Sequence, residues 1–254
     1  MKLSAVAAAL AIAGGLAVSG QALADQVNAK LESVTPLSKN YRVKIDITSL
    51  PGNPGEAFSS TEYAGIFDFT LNSGNLNTYD ADSFVSFCID VTDSITVGSA
   101  HTWNVVSLAD APDQSSGPMG STRADALATL LGSNLGTSLN DAVTVLDDNT
   151  KRAAMQVAIW EVVFESAGGP YKVAEGNAKF TNNDTVTAQA QLYLDNIAEI
   201  GTKMSGLVGL TSTNTQDFIG QVPIPAAAWL FGSALIGTIA IGRRKTKAKT
   251  RTIA

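Results

Sequence analysis

The chain has 254 residues, one cysteine (Cys88), one histidine (His101) and a formal net charge of −6. A lone cysteine excludes an intrachain disulfide, and there is no paired-Cys or His cluster with zinc spacing. Lys2 and six basic residues after position 242 stand outside the body, so Asp25 to Gln221 sets ten basic side chains against 23 acidic ones, a net −13; nucleic acid and anionic membranes, which demand a positive face, are disfavoured as partners.

In chain order, the first segment reads as a leader. Lys2 supplies a positive start, Leu3 to Val18 is small and apolar, and Ala22-Leu23-Ala24 fits a small-x-small cleavage site. Residues 1–24 are therefore expected to be a signal peptide that directs export through the Sec translocon. Export leads to an oxidising compartment, where an unpaired cysteine is unusual.

About 195 residues remain for the body, enough to bury a core without disulfides, and one domain is expected over 25–210. Asp25 to Asn40 reads as helical or irregular. Tyr41 to Ile47 alternates polar and apolar and predicts a half-buried strand. Tyr63–Leu71, Phe84–Asp90 and Thr102–Leu108 read as further strands, separated by Gly- and Asn-rich loops. Helical spacing then takes over at Ala124–Leu131, Lys151–Ser166 and Thr185–Ile200, the last with Asp184 as candidate N-cap. Strands first and helices later predict an α+β fold: an antiparallel sandwich or barrel-like sheet with a helical portion. Residues 211–221 read as a polar linker.

Residues 222–254 end the chain with Val222-Pro223-Ile224-Pro225-Ala226, an uncharged run to Gly242, and a cluster led by Arg243, Arg244 and Lys245. The 17 residues from Ala226 to Gly242 would span about 26 Å as a helix, slightly under a bilayer core. Positive residues directly after such a run stop transfer and stay cytoplasmic. Motif, apolar run and basic cluster, in that order, resemble the sorting signal of exosortase substrates, the PEP-CTERM proteins of Gram-negative bacteria, in the variant with a VPLPA-like motif. The resemblance implies tethering in the inner membrane, recognition by an exosortase, and release or attachment at the cell surface. The two prolines would hold the motif extended for a membrane enzyme.

Two residues in the body stand out. Alternation puts Val85, Phe87 and Ile89 on one face of their strand, and Cys88 on the mixed face with Ser86 and Asp90. Gln156 is the only polar side chain between Arg152 and Glu161. A buried carboxamide without partners costs about 1–3 kcal/mol, so something must satisfy it. Backbone hydrogen bonds are one answer. Acylation of the cysteine is another: a thiol that attacks a glutamine carboxamide expels ammonia and leaves an internal thioester. That chemistry needs close positioning and exclusion of water, and the apolar run ending at Trp160 could wall the site.

Phe87-Cys88-Ile89-Asp90, followed about 70 residues later by Met155-Gln156-Val157-Ala158-Ile159-Trp160, is similar to the paired blocks of bacterial thioester domains, with coverage of roughly residues 40 to 170. There the cysteine strand supplies the sulfur and the glutamine block the acyl group. The resemblance implies a Cys88–Gln156 thioester, with Phe87, Asp90 and Trp160 as its shell, that captures a nucleophile on a surface polysaccharide or an amine-bearing protein. The best-known members are Gram-positive adhesins, whereas this chain carries a Gram-negative tail.

Two other classes compete. One is a non-reactive component of the exopolysaccharide or biofilm matrix, in which Cys88 and Gln156 merely pack. The other is a Cys–His hydrolase, which needs a base within reach of the nucleophile; His101 is the sole candidate, and it could alternatively serve as the base for acyl transfer. No phosphate loop or GxSxG motif is present, no cofactor or metal is implied, and a non-enzymatic role is expected. Asp80, Asp82, Asp147 and Asp148 match no calcium-loop spacing. Glu161 and Glu165 read as helix surface.

Overall fold

The computed structural model describes residues 26–197 and 202–223. The leader, the motif residues Ile224, Pro225 and Ala226, the apolar run and the basic cluster lie outside that range. Among the described residues no helix is long and apolar enough to cross a membrane.

Among the described residues nine strands and four α-helices form an α+β fold. The strands are β1 (Gln26–Thr35), β2 (Arg42–Ile47), β3 (Phe58–Tyr63), β4 (Ile66–Ser73), β5 (Ser83–Ser86) and β6 (Ala100–Ser107), then β7 (Ala178–Thr181), β8 (Leu207–Thr211) and β9 (Phe218–Gln221). The helices are α1 (Gly120–Leu135), α2 (Ala142–Val145), α3 (Asn149–Phe164) and α4 (Asp184–Asp195). Six strands make one sheet in the order β5-β4-β1-β6-β8-β9, and three make a second, β3-β2-β7. Every ladder among the described residues is antiparallel.

The larger sheet is not a closed barrel, but its two edges meet. Just past β5, Cys88 forms an isolated antiparallel bridge to Phe218 of β9. Ile89 N–H donates to the Asp217 carbonyl at 3.1 Å, and Ile219 N–H to the Phe87 carbonyl at 3.1 Å. The curl encloses an aromatic cluster in which Phe69 and Phe84 stack at 5.2 Å while Trp103 and Phe218 meet Phe69 edge-on. Such pairs add roughly 0.5–1.5 kcal/mol beyond the area they bury.

Helix α3 is the centre of the molecule. Asp148 caps it, its carboxylate accepting from Lys151 N–H. Every residue from Ala153 to Phe164 is buried, as expected of a helix apolar on all sides. It packs on α4, α1 and β7, and Trp160 lies parallel to Phe180 of β7 at 6.5 Å.

Several expectations change. Gln26 to Thr35 is a strand, not helical or irregular: Val27, Ala29 and Leu31 alternate into the core. Residues 211–221 are not a linker. Strands β8 and β9 are integral to the large sheet, and the polar side chains that suggested solvent point inward to partners. Asp217 accepts from Asp113 N–H and Ser212 N–H, both at 2.8 Å; Gln221 accepts from Leu139 N–H and donates to the Thr137 and Ser205 carbonyls. A Cβ at Gly209 in β8 would run into the Ala111 methyl, so the close approach there requires glycine. The folded body thus reaches Gln221, and Val222 N–H still bonds the Gly206 carbonyl at 2.9 Å. The cap of α4 is Asn183 rather than Asp184.

Candidate functional site

Cys88 sits where the sheet edges meet, and its environment is not the half-polar face that alternation suggested. Phe84 through Asp90 are all buried, because the sheet edge is covered on both sides. The polar members of the stretch have partners: Ser86 Oγ donates to the Ile219 carbonyl at 2.6 Å.

Gln156 reaches the same point from α3. Its Oε1 accepts from the Cys88 N–H at 2.9 Å, and its Nε2 donates to the Cys88 carbonyl at 2.8 Å. One carboxamide therefore completes both backbone groups of the cysteine, which no β-ladder partner takes at this isolated bridge. Both residues are fully buried. Helix and sheet edge, 68 residues apart in sequence, are joined at the two positions singled out from the sequence.

The Cys88 side chain carries a free thiol turned toward Asp90: Sγ donates to the Asp90 carbonyl at 2.6 Å and lies 3.3 Å from the Asp90 N–H. Burial, and after it the charge of Asp90, pushes the thiol pKa well above its ordinary value. The Trp160 indole N–H approaches the sulfur and opposes that shift in part, without the geometry of a hydrogen bond. Phe87 and Trp160 exclude water, being 0 % and 1 % exposed.

Asp90 is 2 % exposed, and three donors hold its Oδ1: Thr92 N–H at 2.8 Å, Thr92 Oγ1 at 2.9 Å and Ser116 Oγ. Asp90 and Trp160 also line a cavity of about 280 Å³, walled further by Glu62, Tyr63, Asp93 and Gln216. The cavity lies beside the sulfur's immediate neighbours and contains three carboxylates but no Lys, Arg or His. Burial raises the Asp93 pKa, with the Asp90 and Asp113 charges adding to it.

His101 is elsewhere. It lies on β6 opposite Ala29, its Nε2 is 2.9 Å from Ser99 Oγ, and its ring meets Trp103 edge-on at 5.8 Å. It is neither a wall of the cavity nor a partner of Cys88 or Gln156. Glu161 and Glu165 are buried rather than on the helix surface. Glu161 Oε1 accepts from Lys172 N–H, and Glu165 Oε2 accepts from Asn177 N–H, so the pair organises the loop after α3. Ser116, Thr92, Asp217 and Gln216 escaped the sequence reading. They arrive from three loops, Gln216 and Asp217 together from the β8–β9 turn, and no local spacing announces them.

No protein-family model matches the chain, and neither does any curated protein or solved structure.

Proposed function

We propose that this is an exported surface or extracellular-matrix protein whose Cys88 and Gln156 form an internal thioester for one covalent capture of a nucleophile on a partner. The observation that carries the reading is the two-point grip of the Gln156 carboxamide on the backbone of Cys88. It fixes the acyl carbon beside the residue that bears the sulfur, in a water-excluding wall. Such preorganisation is what intramolecular acyl transfer requires. The Cys88 N–H already bonds the oxygen on which negative charge would develop, as an oxyanion donor does. Formation balances simply: the S–H and carboxamide become a thioester and ammonia.

The acidic cavity favours a cationic, amine-bearing partner over the neutral hydroxyls of a polysaccharide. The reading is of single capture rather than turnover, hence not an enzyme. Its cellular address follows from the leader and from the sorting signal that begins where β9 ends: an inner-membrane precursor processed by an exosortase, then the cell surface or matrix.

A second reading draws on the same hydrogen bonds. They give both polar atoms of Gln156 a partner, so the pair could serve packing alone in a structural matrix protein. Methylamine separates the two. Under the first reading, methylamine adds to Gln156, and Cys88 of the subsequently unfolded chain reacts with iodoacetamide only after that treatment. An unmodified Gln156, with Cys88 alkylated equally before and after methylamine once unfolded, would leave the packing role alone.

A further inference from the structure

We propose that Asp90 is the base and proton carrier that opens the Cys88–Gln156 bond when a nucleophile enters through the adjoining cavity, an assignment that rests on the thioester reading. Three features meet in this one residue. Its backbone brackets the sulfur, with Sγ 2.6 Å from its carbonyl oxygen and 3.3 Å from its nitrogen. Its side chain lines the cavity. Its carboxylate is fixed in orientation, yet all three hydrogen bonds fall on Oδ1 and none on Oδ2.

No other residue in place can take the role. The cavity's remaining acids, Glu62 and Asp93, stand on its walls and make no hydrogen bond to the sulfur, whose bonds go to Asp90, and His101 rests against Ser99 and Trp103. Asp113 and Asp217 complete the ionisable surroundings; the Asp217 carboxylate is engaged by two backbone N–H groups from the loops it ties together.

The step balances without any co-reactant. The nitrogen of a primary amine bonds to the Gln156 acyl carbon and the C–S bond breaks. The proton that the amine sheds passes to the Asp90 carboxylate and from there to Sγ, leaving a secondary amide and the Cys88 thiol. A sulfur whose thiol is held strongly protonated by burial leaves poorly as a bare thiolate, so proton delivery to it is the demanding part of the reaction.

The test is opening of the purified exported protein by methylamine, followed by intact mass. Asp90→Asn keeps an oxygen for the Thr92 and Ser116 donors but cannot carry the proton. It is expected to retain the loss of one ammonia, to open about 100-fold more slowly, and to recover rate when acetate is added. Opening at the parent's rate, or a folded variant without the ammonia loss, overturns the assignment. If Asp90→Asn does not fold, Ser116→Ala decides: slowed opening supports the role and an unchanged rate overturns it. A parent chain of full mass overturns the thioester reading and this one together, whereas a parent with the ammonia loss and a fast Asp90→Asn variant overturns only the role of Asp90.

Discussion

Gln156 and Glu161 are buried polar residues five positions apart on the same helix, and the fold treats them differently. Gln156 finds both a donor and an acceptor on one residue of the sheet edge. Glu161 has one oxygen on Lys172 N–H and the other, Oε2, without a partner; burial pushes its pKa up to about 8, with Lys172 N–H opposing and the Glu165 charge adding. A neutral carboxamide finds its donor and its acceptor on the backbone of a single residue, whereas a carboxylate at such a depth is held by keeping its proton. The first arrangement suits a reacting pair and the second a loop anchor. This contrast can be tested from both ends.

The largest effect is expected from Gln156→Ala. It strands the Cys88 N–H and carbonyl, at about 1–3 kcal/mol each, and opens a cavity in the core. Denaturant unfolding should show a loss of several kcal/mol, and no ammonia should be lost from the chain. A variant as stable as the parent would mean that the helix does not hold the sheet edge through this side chain.

Glu161→Gln probes the other end through pH. With its folded pKa raised from 4.5 to about 8, the folded chain holds a proton that the unfolded chain has lost across that interval. Its stabilising contribution is full below about pH 4.5 and is lost as pH rises through about 8, at up to roughly 1.4 kcal/mol per pH unit. Asp217, also raised to about 8 mainly by burial, acts in the same direction. Melting temperature should therefore fall from pH 5 to pH 8 in the parent and fall less in Glu161→Gln, the variant gaining most at the alkaline end. Identical slopes would show that the Glu161 carboxyl is not protonated in the folded chain.

How much of this was visible in the sequence differs by region. The strand at Arg42–Ile47 was legible because its polar and apolar residues alternate, and the helix over Asn149–Phe164 because its nearly unbroken apolar stretch is too long for a strand. Cys88 and Gln156 were legible as oddities: the single thiol of the chain and a single amide in an apolar run. The β8–β9 hairpin was not, since Asp217 and Gln221 are polar residues that reach backbone groups of Asp113, Thr137 and Leu139, far away in sequence, and polarity alone reads as solvent. Strand β7 has only four residues, Ala178 to Thr181, too few for a period to register. The Asp90 surroundings were hidden for the same reason as the hairpin, because Ser116 comes 26 residues later, from a loop.

Smaller effects sharpen the boundary of the site. Trp160→Phe keeps the stack on Phe180 but removes the indole N–H that approaches the sulfur. Methylamine opening should slow several-fold while stability changes by under about 1 kcal/mol; an unchanged rate would reduce Trp160 to a wall. His101→Gln should alter the opening rate less than about twofold, because its ring partners are Ser99 and Trp103 rather than any reacting group. A large loss there would move the base from Asp90 to His101.

The thioester is tested most directly by the intact mass of the purified native protein, compared with the mass expected from its sequence between experimentally determined ends. The account predicts a chain lighter by one ammonia that gains one methylamine on treatment, with both changes absent in Cys88→Ala. A native chain at full mass, indifferent to methylamine, would contradict it.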